Sequence, residues 1–234
     1  MNTAELTILF STNSFKKQIK GDTSAEGFLV ITSAVTYSDP SLITFDFDWT
    51  QNLPGDAHPD AQIERQHPAP FSFTDVSRLV RFFTKRKEVV LDPFVGVGST
   101  LKACAVEGRN GIGFELNPRY AELAQERLRI EVRDLFSGEA SQNVRVGDAR
   151  DLIKELPENS LDLVVTSPPY WNILHKEDHK AKQERKDHDL DTRYSDDARD
   201  LGNIHDYEAF LEELASILGA CGRALKPKKH MAVI

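Results

Sequence analysis

Cysteine is nearly absent from this chain, with only two among its 234 residues. Cys104 and Cys221 lie in unrelated local sequences, so the sequence supports neither a disulfide framework nor a four-cysteine zinc site. Disulfides belong to oxidising compartments, and their absence makes a reducing cytoplasm the expected location.

Long apolar runs are also missing. No segment approaches the roughly 18 consecutive apolar residues that a membrane-spanning helix needs. The N-terminus carries no basic stretch ahead of its short apolar patch, so a secretion signal is not predicted. Hydrophobic residues make up 40% of the chain and charged residues 28%, which is ordinary globular composition, and we expect no association with a membrane.

An excess of positive charge is the third feature that the chain lacks. Its 37 acidic and 29 basic residues give a net charge of −8 and an isoelectric point near 5.4. This sign opposes nucleic-acid binding, because neutralisation of phosphates dominates such affinity. Basic residues nevertheless cluster in segments 78–87, 175–189 and 226–230, and local charge matters more than the total. The middle segment contains nearly as many acids, and a solvated surface is its favoured interpretation.

Two regions of different character divide the chain. Residues 1–66 form an N-terminal extension with a predicted strand at 27–37, a weaker strand at 5–10 and a loop rich in Asp and Pro at 38–62. Residues 67–234 alternate between apolar strands and amphipathic helices, which predicts an α/β fold with a doubly wound, mostly parallel sheet. The predicted strands cover 88–92, 110–115, 143–148, 161–166 and 230–234; the predicted helices cover 73–85 (with Thr74 as N-cap), 99–108, 118–136 and 205–225.

The last predicted strand coincides with the last residue of the chain. A sheet of this kind normally continues beyond its fifth strand. We therefore expect the C-terminal strands to be missing, to be replaced by the N-terminal strands, or to be supplied by a partner.

A glycine-containing loop follows the first strand of this region, in the sequence VVLDPFVGVGST at 89–100. Asp92 ends the strand, and Gly96 with Gly98 predicts a turn that a ligand can approach closely. The dinucleotide fingerprint would need Gly or Ala where Leu101 stands, and no phosphate-binding loop of the P-loop type occurs. The loop therefore favours a compact nucleoside ligand without phosphates.

Acidic residues end the next two strands. Glu115 lies about 20 residues beyond the glycine loop, where a carboxylate can accept two hydrogen bonds from a ribose diol. Asp148 can accept from an adenine amino group, can cap the short helix that follows, or can do both.

The sequence VVTSPPYWN at 164–172 ends the fourth strand. Two consecutive prolines cannot continue a strand ladder, which leaves carbonyl oxygens free beside the Ser167 hydroxyl. Tyr170 and Trp171 follow and offer aromatic surfaces. A rigid group of acceptors beside a stacking platform suits a flat base that carries an exocyclic amine.

These pieces together resemble the amino-directed DNA methyltransferases, which methylate cytosine N4 or adenine N6 with S-adenosylmethionine. DPFVGVGST is similar to the family's cofactor motif, TSPPYWN to its catalytic motif, and HPAPFSF at 67–73 to the segment that covers the methionine end of the cofactor. The resemblance spans residues 67–234 and implies a Rossmann-like class I methyltransferase fold, with an S-adenosylmethionine-binding catalytic domain in that range.

The resemblance also implies which residues form the site. The implied cofactor-binding residues are Pro68, Phe71, Asp92, Pro93, Phe94, Gly96, Gly98, Ser99, Thr100, Glu115 and Asp148. The implied catalytic residues, which would hold the target base, are Ser167, Pro168, Pro169 and Tyr170. Serine at the first catalytic position favours cytosine N4. The implied substrate is DNA with its target base flipped out of the duplex, in a site-specific methyltransferase of the restriction-modification type.

Several alternatives stay open at this stage. The same chemistry fits adenine N6 of DNA. It also fits an amino group of RNA, and for that substrate Asp would be expected in place of Ser167. A fragment or subunit that binds cofactor or DNA and needs a partner is a further alternative. Methylation at cytosine C5 is disfavoured, because it requires a nucleophilic cysteine near the catalytic strand end. His175 and His179, with His188 nearby, have metal-ligand spacing, but no matching distant pair exists and no metal site is expected.

Overall fold

A computed structural model describes residues 7–9, 29–31, 63, 66–67, 72–132, 140–171, 195 and 197–234 of the chain. Two short parallel strands, β1 (Thr7–Leu9) and β2 (Leu29–Ile31), pair with each other. They fall within the predicted strands 5–10 and 27–37. The division between residues 66 and 67 stays a prediction.

A five-stranded parallel sheet forms the centre of the described structure. Its strands are β3 (Val89–Asp92), β4 (Asn110–Glu115), β5 (Gln142–Val146), β6 (Leu161–Thr166) and β7 (Leu225–Val233). They lie in the order β5-β4-β3-β6-β7, and every pairing is parallel. The chain winds outward from β3 in one direction and then from β6 in the other, so the strand order reverses between β3 and β6. Ligands of open α/β sheets bind at the carboxyl ends of strands beside such a reversal.

Helices cover both faces of this sheet. They are α1 (Phe73–Phe83), α2 (Ser99–Glu107), α3 (Pro118–Glu131), the short α4 (Ala149–Leu152) and α5 (Tyr207–Ala224), with single 3₁₀ turns at Ile153–Glu155 and Leu201–Asn203. One core cluster joins α1 and α2 to the sheet, and a second joins α4 and α5 to it. All six residues of β6 are buried, as expected for a strand with helices on both faces. The predicted doubly wound sheet is confirmed.

Several helix boundaries differ from the predictions. α1 ends at Phe83 and not at 85, α2 ends at Glu107 and not at 108, and α5 covers Tyr207–Ala224 and not 205–225. The N-cap of α1 is Ser72, not Thr74, because the helix already begins at Phe73 and the Ser72 carbonyl accepts from the Val76 amide. α3 ends at Glu131 with Val132 as its C-cap, whereas the apolar pattern predicted a helix to 136; residues 133–136 lie outside the described part of the chain. No helix of the described residues is long and apolar enough to cross a membrane.

Strand β7 begins five residues earlier than predicted. Leu225 pairs with Leu161, and regular pairing resumes only where His230 lies opposite Leu163. Between these points the register is irregular, and Lys228 has a positive φ of 64°. The polar sequence KPKK hides this part of the strand from an apolar pattern, which is why the prediction began at 230.

Candidate active site

A cavity opens at the carboxyl ends of β3, β4 and β6, beside the turn that follows β5. This edge of the sheet is the one that the topology favours for a ligand. The predicted site residues that line the cavity are Pro93, Phe94, Glu115, Asp148, Ser167, Pro168, Pro169 and Tyr170. The predicted cofactor and catalytic segments therefore meet in one place.

Asp92 lies beneath this cavity and not in its lining. Its buried carboxylate accepts from the Phe94 amide at 3.0 Å, from Thr100 Oγ1 at 2.5 Å and from Thr166 Oγ1 at 2.8 Å. Burial raises the pKa of Asp92 to about 6, against the lowering effect of these hydrogen bonds. The carboxylate therefore joins the glycine loop and the start of α2 to the residue that precedes Ser167.

The two loop glycines have positive φ angles and close protein neighbours. Gly96 has φ 51°, and a Cβ atom there would lie 3.1 Å from His67 Nε2. Gly98 has φ 86°, and a Cβ there would lie 3.0 Å from Cβ of Ala124 in α3. Both glycines are therefore required by the packing of the protein itself, and the predicted close approach of a ligand to this loop stays a prediction.

Ser99 points away from the cavity. Its hydroxyl accepts from Arg127 Nη1 at 3.0 Å, and the fully buried Arg127 also donates to the Val97 carbonyl. Arg127 is paired with Glu131, which lies 2.7 Å from Lys102 Nζ. This buried ionic cluster holds the back of the loop against α3.

Glu115 forms part of the cavity wall and holds two backbone amides. Its carboxylate accepts from the Gly96 amide at 2.9 Å and from the Asn117 amide at 2.8 Å. Burial is the largest influence and raises the pKa of Glu115 to about 7; the two amides lower it, and the charges of Asp200 and Asp92 raise it further. A carboxyl group that titrates near neutral pH therefore lies at the end of β4.

Asp148 caps helix α4, as one of the two predictions stated. Its Oδ1 accepts from the Arg150 amide at 2.9 Å, and the Arg150 guanidinium binds the same carboxylate through Nε and Nη2. Burial acts to raise the pKa of Asp148, but the Arg150 contacts outweigh it and the pKa is lowered. Asp148 therefore faces the cavity as a carboxylate.

The Ser-Pro-Pro-Tyr segment leaves β6 directly into the cavity lining. Pro168 is buried, Ser167 and Pro169 are half-buried, and Tyr170 is 37% exposed. The ring of Trp171 packs 4.9 Å from that of Tyr207 in α5. Ser167 and the two prolines are thus less exposed than Tyr170, whose ring is the most accessible part of this segment.

A family model for N6/N4 methyltransferases, described as DNA methylase, matches residues 4–126, which is more than half of the chain. The chain belongs to this DNA methylase family. The predicted family is thereby confirmed, and with it the family's cofactor, S-adenosylmethionine. The match begins at residue 4 and therefore includes most of residues 1–66, which the resemblance noted in the sequence did not cover. It ends at residue 126, before Ser167.

Individual relatives match over shorter segments. Type II methyltransferase M.MthZI of Methanothermobacter thermautotrophicus is 33% identical over 91 residues, covering 39% of this chain and 25% of that protein. Type II methyltransferase M.ScaI of Streptomyces caespitosus is 34% identical over 77 residues, covering 32% and 25%. Type II methyltransferase M.HpaI of Haemophilus parainfluenzae is 28% identical over 132 residues, covering 56% and 38%. The chain thus spans well under half the length of these relatives.

Two further cavity residues were not among the predicted site residues. His67 packs on Gly96, and its ring centroid lies 4.9 Å from that of Tyr120. The sequence pointed to His67 only through the segment HPAPFSF.

Asp200 is the second of these residues. It is buried, accepts from the Gly202 amide at 2.9 Å and from Ser195 Oγ at 2.7 Å, and lines the cavity. Its position before Leu201 signals a helix cap, but no sequence pattern signals its proximity to Glu115.

Both cysteines of the chain lie in the core. Cys104 and Cys221 are fully buried, and burial raises the pKa of each thiol, that of Cys221 to about 12. Neither lines the cavity, so neither thiol is placed to attack a base there.

Several predicted residues lie outside the part of the chain that the structure describes. These are Pro68 and Phe71 of the cofactor segment and His175, His179 and His188 of the polar segment. The proposed contacts of Pro68 and Phe71 with the cofactor stay predictions.

Proposed function

We propose that this chain transfers a methyl group from S-adenosylmethionine to an exocyclic amino group of a DNA base, with cytosine N4 as the preferred target. The observation that carries the proposal is that one cavity is lined by Glu115, Asp148 and the Ser-Pro-Pro-Tyr segment. Two carboxylates suited to an adenosyl group therefore face the same space as acceptors suited to an amine.

The polar groups of the cavity fit the adenosyl part of the cofactor. Glu115 would accept from the ribose hydroxyls and Asp148 from the adenine amine, while Phe94, Phe114 and Ile217 supply apolar walls for the rings. We assign the methionine end to the glycine loop, covered by Pro68 and Phe71. The residues of the loop that lie outside the lining, Asp92, Gly96, Gly98, Ser99 and Thr100, would act by fixing its shape.

The target amine would be held by Ser167 and Pro168. An exocyclic amine is a poor nucleophile, because its lone pair is delocalised into the ring. Hydrogen bonds from the amine to Ser167 Oγ and to the Pro168 carbonyl favour a pyramidal nitrogen with its lone pair free. Pro169 would keep this segment rigid.

Bound S-adenosylmethionine supplies an electrophilic methyl group on a sulfonium. The nitrogen lone pair would form the new bond to the methyl carbon while the carbon–sulfur bond breaks and its electron pair stays on sulfur, which leaves S-adenosylhomocysteine. The methylated nitrogen would then release one proton to solvent. Tyr170 would stack on the base and stabilise the positive charge that develops on nitrogen. Positioning of the two reactants can contribute about 7–11 kcal/mol to such a step. The base must first leave the duplex, at a cost of a few kcal/mol.

The test is an assay with labelled S-adenosylmethionine and unmethylated duplex DNA, followed by digestion to nucleosides and mass spectrometry. We expect N4-methylcytosine from the unmodified chain and none from Ser167→Ala or Tyr170→Ala. The matched control is Ser160→Ala at the opposite end of β6, where the hydroxyl donates to the Pro157 carbonyl. This control should methylate normally.

Each other result of that assay has a defined meaning. Formation of N6-methyladenine would leave the proposed mechanism intact and show that the target base is adenine and not cytosine. Transfer to RNA but not to DNA would contradict the proposal that DNA is the substrate. Cofactor binding without transfer would favour a chain that needs a partner or a further segment. Failure to bind S-adenosylhomocysteine would overturn the proposed site.

A further inference from the structure

Arg150 connects three parts of the molecule behind the cavity wall. Its Nε and Nη2 lie 2.9 Å and 2.7 Å from the carboxylate oxygens of Asp148. Its Nη1 lies 3.0 Å from Glu213 Oε2 in α5, and Nη2 also donates to the Arg199 carbonyl at 2.7 Å. Arg199 directly precedes Asp200, and both line the cavity, whereas Arg150 does not.

The contact with Asp148 is one that fixes orientation. A guanidinium is a planar fork, and its two parallel contacts fix the plane of a carboxylate more strongly than a single ammonium contact could. Asp148 is only 9% exposed as a side chain, so a rotated carboxylate would lose its protein partners and gain little contact with solvent. A carboxylate offers about four acceptor positions, so a position remains for a ligand after Arg150 has bound.

An ordinary surface ion pair does not account for this arrangement. Such pairs join two exposed side chains and contribute little. Lys154 and Asp151 form one in the adjoining turn, with side chains 67% and 74% exposed. Arg150 is 26% exposed and contacts α5 and the segment before Asp200 in addition to Asp148.

We propose that Arg150 is a positioning residue for the adenine of the cofactor, acting through Asp148. The inference rests on the proposed function, in which Asp148 accepts from the adenine amine. Arg150 holds the Asp148 carboxylate in the plane that this amine requires, and its contacts to Glu213 and Arg199 fix the guanidinium itself. Lysine at position 150 can keep the charge but cannot reproduce the fork.

The test compares two ligands by calorimetry: S-adenosylhomocysteine and its inosine analogue, which carries a 6-oxo group in place of the 6-amino group. An acceptor bond from a charged group corresponds to about 10- to 100-fold in affinity, so the unmodified chain should prefer the adenine ligand by that factor. In Arg150→Ala this preference should fall by about tenfold, with affinity for the inosine ligand little changed. Arg150→Lys should retain only part of the preference.

The matched control is Lys154→Ala, which removes the exposed ion pair of the adjoining turn and should leave the preference unchanged. Equal weakening of both ligands by Arg150→Ala would overturn the inference and leave the proposed function standing. An unmodified chain that binds both ligands equally would also overturn the inference. If Arg150→Ala does not fold by circular dichroism, Arg150→Lys decides the matter, and an unchanged preference in it overturns the inference. An unmodified chain that binds neither ligand overturns the proposed function itself.

Discussion

At the level of single residues, the carboxylates at the ends of β3 and β4 combine burial with several hydrogen bonds. Asp92 accepts from two hydroxyls and one amide, and Glu115 accepts from two amides. Burial still outweighs these bonds, because the pKa of Asp92 is raised to about 6 and that of Glu115 to about 7. Both groups therefore bind protons more tightly in the folded chain than in the unfolded one.

We expect Glu115 to make the ligand-free chain less stable as pH rises. A raised pKa in the folded state adds stability that is complete below the unfolded value of 4.5 and is lost as pH rises through about 7. Denaturant unfolding at pH 5 and pH 8 should show a loss of roughly 2–3 kcal/mol attributable to this group. Glu115→Gln, whose amide resembles the protonated carboxyl, should remove that part of the pH dependence.

Glu122→Gln, at an exposed glutamate of α3, is the control for that measurement and should retain the pH dependence of the unmodified chain. If Glu115→Gln loses as much stability between pH 5 and pH 8 as the unmodified chain, another group is responsible.

At the level of elements, the glycine loop depends on its packing against α3. We expect Gly98→Ala to destabilise the chain by about 1–3 kcal/mol, because the φ of 86° disfavours any side chain and the new Cβ would meet Ala124 at 3.0 Å. Gly219→Ala in α5 is the matched control, since no described atom beyond the adjoining backbone of its own helix lies within 4 Å of its Cβ position, and it should add roughly 0.5–1 kcal/mol. Equal effects of the two changes in denaturant unfolding would contradict this account.

The same interface contains the buried charge of Arg127. We expect Arg127→Ala to cost about 3–5 kcal/mol of unfolding free energy, because it leaves Ser99 and the Val97 carbonyl without their donor and alters the charges around Glu131. Arg129→Ala, two residues along the same helix, removes only an exposed pair with Glu126 and should change stability by less than about 0.5 kcal/mol. A small effect of Arg127→Ala would mean that the loop does not depend on this cluster.

Local patterns predicted most elements, and the exceptions have identifiable causes. β6 was predicted with its observed ends because an apolar run is bounded by polar residues on both sides. β7 begins earlier than predicted because its first half is polar and irregular. Ser99 was assigned to the site by the resemblance of its segment to the cofactor motif, but its hydroxyl accepts from Arg127, which is 28 residues away.

At the level of the whole molecule, topology explains why the candidate site could be predicted at all. Parallel strands deliver their carboxyl ends to one edge, so Glu115, Asp148 and Ser167 meet although they are distant in sequence. Contacts made by return segments follow no such rule. Asp200 and Arg199 reach the cavity through a chain segment whose path no local pattern defines, and they were accordingly missed.

The final prediction concerns the response of the whole fold to its ligand. Saturation with S-adenosylhomocysteine at about 100 times its Kd should stabilise the folded chain by about 2.7 kcal/mol, which raises Tm by roughly 5–10 °C for a chain of this length.

This stabilisation should depend on pH through Glu115. Two ribose hydroxyls donate best to an ionised Glu115, and its pKa of about 7 means that most of the group is ionised at pH 8 and little at pH 6. Affinity should therefore be roughly tenfold higher at pH 8, and the increase in Tm at a fixed ligand concentration correspondingly larger. Thermal scans at both pH values would measure this. Because its amide resembles the protonated carboxyl, Glu115→Gln should show at both pH values about the small Tm increase that the unmodified chain shows at pH 6. A ligand effect on the unmodified chain that does not depend on pH would mean that Glu115 does not bind the ribose as a carboxylate.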